Sequence, residues 1–398
     1  MEKYLSFVIV GHIDHGKSTL IGRMIYDTNS LPEEKIEEVK STCKMLGRPF
    51  EFAYVIDHLH EEREKMMTID TSQTFFKYNN KPFVIIDAPG HKEFIKNMLT
   101  GASQADAAVV IIDTEIGLEE QTKRHIYLLN MLGIKQVIAV FNKMDRINYQ
   151  KERFETVKQK LQEFFKNFST TPEEFIPISA MEGDNIVNNS KNMDWYQGPT
   201  LLEALSKLKN KPNLEDQELR LPIQDVYNLN NEKTYVGRIE SGVLSQEIML
   251  VPSMQKTTIK KIKDNKIKAG QSTGIVLEGI TADRGEIVCS IGKEPTIVEK
   301  INATIFWMGE NPVRKEELLI YKSTTQESEC KIESINSKFN SSTLEKLEIT
   351  PTINGLEAAE VTLKLNKKVA IDSFNKIPPM GRFVLIRDGI VEGGGIIR

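Results

Sequence analysis

Residues 11–18 read Gly-His-Ile-Asp-His-Gly-Lys-Ser, and no other segment limits the fold as tightly. The octet fits the pattern G-x-x-x-x-G-K-[ST], whose backbone amides wrap phosphate oxygens. Its flanks give the match weight. Leu5–Val10 is an apolar run of strand length, and after the loop Leu20, Ile21, Met24 and Ile25 recur at helical spacing. A loop between a buried strand and a helix aims N–H groups and the positive helix end at one anion. Gly11 and Gly16 free the backbone to turn, Lys17 is placed to reach the outer phosphates, and the Ser18 hydroxyl is placed to ligate Mg²⁺. Asp14, His15, Gly16, Lys17, Ser18 and Thr19 are therefore the expected phosphate-binding residues.

The rest of the chain supplies a scaffold for such a loop. At 398 residues it is too long for one core. Up to about residue 210, apolar runs at Phe7–Val10, Phe83–Ile86, Ala107–Ile112, Val137–Phe141 and Phe175–Ile178 alternate with helical patterns. The helical stretches include Lys17–Asp27, Pro32–Leu46, Lys92–Thr100, Glu119–Met131, Glu152–Phe168 and Leu201–Lys207. Alternation of this kind predicts an α/β domain with a mostly parallel, doubly wound sheet, whose ligands bind at the carboxyl ends of the strands. After the polar hinge Lys209–Asn213, short Val-, Ile- and Thr-rich segments predict two small all-β barrel domains. The expected division is a nucleotide-binding domain over 1–213, then β domains over 218–296 and 299–398.

Two further motifs fall at strand ends. Asp87-Ala88-Pro89-Gly90-His91 follows Val84–Ile86; Asp87 can hold Mg²⁺ through a water, and the Gly90 N–H can sense a γ-phosphate. Asn142-Lys143-Met144-Asp145 follows Val137–Phe141. The Asp145 carboxylate can accept the N1–H and exocyclic amine of guanine, a donor pair that adenine lacks. Asn142 can brace the loop, the Lys143 stem can pack on the base, and Ser179-Ala180 can present an N–H to the guanine oxygen. Thr68, between the first two motifs, is placed to complete the Mg²⁺ shell when a γ-phosphate is present.

Composition narrows the partners. A net charge of −4 gives no global drive toward nucleic acid. The segment Lys256–Lys268 reads either as a contact for RNA or an acidic partner, or as the solvent face of a hairpin with Ile259 and Ile262 inward. No apolar stretch approaches the ~20 residues of a membrane span, so no membrane partner is expected, and with that net charge DNA is not expected either. Cys43, Cys289 and Cys330 are far apart and odd in number, which points to a reducing cytoplasm. All six histidines precede residue 126, so acid–base chemistry is expected in the N-terminal part.

The order of these motifs resembles that of the translational-type GTPases, over the whole chain. The resemblance implies GTP or GDP and Mg²⁺ as cofactors, with Ser18, Thr68 and Asp87 as metal ligands. It implies catalytic roles for Lys17 and for His91, which by position orients the attacking water between Ile13 and Met67. The family usually has Gly where Met66 stands and Ile where Met67 stands. Within the superfamily, Ile280–Glu286, Ala303–Met308, Cys330–Ile335 with Thr343-Leu344, and Gly381–Val384 with Gly393–Ile396 are similar to the GTPase (large) subunit of bacterial sulfate adenylyltransferase. That resemblance implies GTP hydrolysis coupled to adenylyl sulfate synthesis and a small adenylyltransferase subunit as partner. The elongation factor 1-alpha branch, which Asn192–Glu203 resembles equally, implies aminoacyl-tRNA and the ribosome instead.

Overall fold

A computed structural model describes residues 4–31, 33–45, 52, 73–86, 105–211, 214–229, 232–263 and 265–398. The chain forms two compact units, Met1–Lys211 and Pro212–Arg398. The first is built on six strands: β1 (Leu5–Val10), β2 (Gln73–Tyr78), β3 (Lys81–Ile86), β4 (Ala107–Asp113), β5 (Gln136–Asn142) and β6 (Glu174–Pro177). Its described helices are α1 (Lys17–Asp27), α2 (Glu33–Met45), α3 (Glu120–Met131), α4 (Lys151–Phe165) and α5 (Leu201–Lys207). The strand order is β2-β3-β1-β4-β5-β6. All neighbours run parallel except β2 and β3.

Parallel strands covered on both faces read as unbroken apolar runs, and β4, Ala-Ala-Val-Val-Ile-Ile-Asp, is buried throughout. On one face Ile9, Val109, Ile111, Ile138 and Val140 share a core with Leu20, Ile21 and Met24 of α1 and with Leu201, Leu202 and Leu205 of α5. Beyond Val140, Phe141 meets Phe154 of α4 edge to face at 5.0 Å. A capping box starts α5: Thr200 Oγ1 accepts from the Glu203 N–H, and the Glu203 carboxylate accepts from the Thr200 N–H at 2.9 Å.

Strand β2 lies outside the expected pattern. Its residues alternate, with Thr74 and Phe76 buried and Phe75 exposed, because an antiparallel edge strand has one wet face. Asn79 and Asn80, at φ 49° and 62°, close the tight turn to β3.

The second unit is antiparallel throughout its two large sheets. One contains, in spatial order, Leu221–Pro222, Ile287–Cys289, Glu247–Val251, Gln255–Ile262, Ser272–Leu277, Glu232–Arg238 and Asp225–Leu229. Its core holds Leu221, Ile223, Tyr235, Ile248, Leu250, Ile275 and Val288. In the other, Leu319–Ser323 pairs with both Arg382–Arg387 and Gln326–Asn340, which closes a six-stranded barrel with Thr296–Trp307, Glu357–Ile371 and Ile390–Ile397. A shared cluster, Val251, Ile287 and Cys289 against Ala370, Ile377 and Met380, joins the sheets. Beside it, fully buried Arg220 grips Asp372 through two hydrogen bonds of 2.7 and 3.0 Å. No helix among the described residues is long and apolar enough to cross a membrane.

Candidate nucleotide-binding site

The loop between β1 and α1 is shaped by close approaches. A Cβ on Gly11 would sit 2.3 Å from the Ile111 carbonyl oxygen of β4. Gly16 has φ +93°, and a Cβ there would sit 2.4 Å from Asn142 Nδ2. Glycine is required at position 16 for both conformation and space. Helix α1 begins at once, with no side chain capping it and no acidic residue in its first turn. Its leading amides and positive dipole end therefore fit an anion, as Ser18 and Thr19 require if they are to sit at phosphate. Lys17 Nζ donates to the carbonyls of Gly11 at 3.0 Å and His12 at 2.8 Å, which folds the ammonium over the loop.

The Asn142 loop meets this turn directly. Asn142, buried at the end of β5, donates from Nδ2 to the His15 carbonyl and accepts at Oδ1 from the Ala180 N–H, each at 2.9 Å. One side chain thus ties the phosphate loop to the segment after β6. Lys143 sits at φ 62° and pairs with Asp113 at 2.7 Å. Asp145 lies in the short 3₁₀ turn Met144–Ile147 and accepts from Ser179 Oγ at 2.6 Å. Parallel pairing of β5 with β6, and the Met144 N–H bonded to Ile178 O at 3.1 Å, bring the two loops alongside. The expectation that Ala180 offers its N–H to a base oxygen meets a competitor, because that N–H already donates to Asn142 and would have to be shared or turned.

His15 is fully buried between Glu119 Oε2, 2.8 Å from Nε2, and the Ile111 carbonyl, 3.4 Å from Nδ1. Burial lowers its pKa and outweighs the Glu119 bond and charge that raise it. Asp113 and Glu119 escaped sequence reasoning. Asp113 closes β4 in register with Asn142 of β5, so a carboxylate ending an apolar strand beside the Asn-Lys loop was the available signal. Glu119 precedes α3 and carries no comparable signal. Thr68, Asp87, Gly90 and His91, with Met66, Met67 and the stretch Lys92–Thr100, lie outside the described residues. Ile13 is half exposed on the loop.

A glycine-lysine-serine loop leading into an uncapped helix, on a parallel sheet whose next strand ends carry Asn142, Lys143 and Asp145, defines a P-loop domain of the guanine-nucleotide type. A family model for the Elongation factor Tu GTP binding domain matches residues 2–211, and one described as GTP-eEF1A C-terminal domain-like matches 300–398. Elongation factor 1-alpha of Natronomonas pharaonis is 37% identical over 97% of this chain and 95% of its own length. That of Archaeoglobus fulgidus is 36% identical over 100% and 97%. A crystal structure of sup35 complexed with GDP aligns at 22% identity and TM-score 0.44, covering 100% of this chain and 94% of that one. The chain belongs to the elongation factor 1-alpha family of translational GTPases. Its cofactors are accordingly GTP or GDP, with Mg²⁺, and its chemistry is GTP hydrolysis.

This corrects the expectation of a sulfate adenylyltransferase subunit and, with it, that of a small adenylyltransferase partner. The short patterns behind that expectation record barrel packing. Ala303, Ile305, Trp307, Cys330 and Ile332 are core residues of the last barrel. Gly393 and Gly395 are demanded by crowding: a Cβ would sit 2.8 Å from the Trp307 ring at the first and 2.5 Å from the Thr304 carbonyl at the second. Interior contacts of this kind carry no information about a partner.

Proposed function

We propose that this chain is an elongation factor that, holding GTP, carries aminoacyl-tRNA to the ribosome and releases it after hydrolysis. The observation that carries this reading is identity of 37% across 97% of the chain with a protein named elongation factor 1-alpha. Such work implies a cytoplasmic location. The reading takes the chain as three domains, 1–213, 218–296 and 299–398.

In this reading the site works by positioning. The loop amides and the start of α1 hold the phosphates, and Lys17 shares its ammonium between loop carbonyls and the outer phosphates. Ser18 and Thr68, with Asp87 acting through water, would hold Mg²⁺, which would supply neutralisation of phosphate charge. Asp145 reads guanine, supported by the Ser179 hydroxyl that already orients it. His91, with the Gly90 loop, positions the attacking water. Few groups among the described residues can stabilise transition-state charge unaided, which fits slow hydrolysis by the isolated chain and completion of the site on the ribosome.

The test is single-turnover GTP hydrolysis with and without programmed ribosomes. Acceleration that requires both codon-matched aminoacyl-tRNA and ribosomes supports the reading. A rate indifferent to ribosomes contradicts it.

A further inference from the structure

The Lys-rich segment lies on the strand Gln255–Ile262, and the fold gathers its charge on one face. Ile259 is buried and Ile262 packs against the same core. Residues three apart on a regular strand face opposite sides. The strand solves this with a β-bulge: its pairing with Ser272–Leu277 slips between Ile259 and Lys261. Lys260 and Lys261 are thereby both exposed between two inward isoleucines. Lys263 joins them through a second device. Its N–H donates to Gly274 O at 2.7 Å, and its Cγ lies 3.4 Å from where a Cβ on Gly274 would be. The lysine stem passes Gly274 beside Thr234, a residue 1% exposed whose hydroxyl has no hydrogen-bond partner.

Among the described residues Glu232 is the carboxylate paired with this group. It pairs with Lys260 at 3.0 Å and feels the charges of Lys261 and Lys263, which together hold it below the usual carboxylate range. Glu278 is turned to the Thr258 hydroxyl at 2.6 Å. Asp264 lies outside the described residues. Exposed Lys256, four residues before Lys260 on the same strand, adds to this face.

We propose that this face binds the phosphate backbone of RNA without reading its sequence. Three ammonium groups on flexible stems, with Glu232 the carboxylate paired to them among the described residues, suit phosphate as point charges. No aromatic residue interleaves the lysines, so the contact is electrostatic rather than a base-stacking platform. The choice of RNA among polyanions rests on the proposed function; the excess of positive charge does not.

The experiment measures binding of total uncharged tRNA to the full chain in its GDP form across a KCl series. The parent is compared with the triple variant Lys260→Gln, Lys261→Gln, Lys263→Gln and with Lys322→Gln, an exposed lysine of the other β domain. The triple variant should flatten the slope of log affinity against log salt by about 2 and weaken binding by about tenfold or more near 0.1 M salt. Lys322→Gln should match the parent, and equal melting temperatures exclude misfolding. A slope and affinity unchanged in the triple variant overturn the proposal. So does loss of polyglutamate binding with tRNA binding intact, which would make the face a site for an acidic protein. If the triple variant loses tRNA while the parent fails to protect aminoacyl-tRNA under GTP, the patch stands and the delivery function falls.

Discussion

Asn142 holds two loops with one amide, and its removal separates them. In Asn142→Ala the buried His15 carbonyl and Ala180 N–H each lose a partner, at about 1–3 kcal/mol apiece. GDP affinity should fall by about tenfold or more, read by nucleotide titration; wild-type affinity would show that the clasp does not shape the pocket. Asp145→Asn should lower GTP affinity by about 2–4 kcal/mol and improve binding of xanthine nucleotide, whose carbonyl replaces the amine of guanine. Equal GTP titrations for parent and variant would remove Asp145 from the base site. His15 gives a pH dependence. Burial holds its folded pKa below the ordinary 6.5, so the native protein prefers the neutral ring. The stability this contributes is complete above pH 6.5 and is lost as pH falls through that value toward the folded pKa. Between about pH 7 and pH 5 the melting temperature of the parent should drop more steeply than that of His15→Gln, and parallel curves would refute the assignment. The residues legible in sequence here were those fixed by spacing, from Gly11 to Ser18 and from Asn142 to Asp145. Glu119 was not, because its contact with His15 is made across the fold between positions 104 residues apart.

At the scale of elements, the five parallel strands were legible because burial on both faces leaves an uninterrupted apolar run. The edge strand β2 was missed because its wet face breaks that run, although Gln73–Tyr78 alternates as an edge strand should. The long barrel strands were read short. Glu357–Ile371 is one continuous strand although Asn366, Lys367 and Lys368 are exposed on it, and an exposed polar stretch looks like a loop in sequence. Beside the apolar cluster that joins the two sheets of the second unit lies a pair with no sequence signature, Arg220 and Asp372. Arg220→Met strands a buried carboxylate and should cost about 3–5 kcal/mol in chemical denaturation. Adding Asp372→Leu should restore most of the loss, since the orphaned charge goes with it. A double variant no more stable than the single one would show that the pair is not the source of the cost.

Across the whole molecule, residues that meet the ligand and residues that fill the barrels carry different information. The phosphate loop and the Asn-Lys-x-Asp loop pointed to a guanine-nucleotide GTPase because each residue type answers a chemical demand of the ligand. The branch within the superfamily was misread because the patterns used, such as Ala303–Trp307 and Gly393–Gly395, answer demands of the barrel interior. If GTP gates the proposed grip on aminoacyl-tRNA, the hydrolysis rate of the aminoacyl ester with this chain in excess reports it most directly. With a non-hydrolysable GTP analogue the ester should be protected, and with GDP it should decay as it does free in solution. Equal decay in the two nucleotide states would contradict the account.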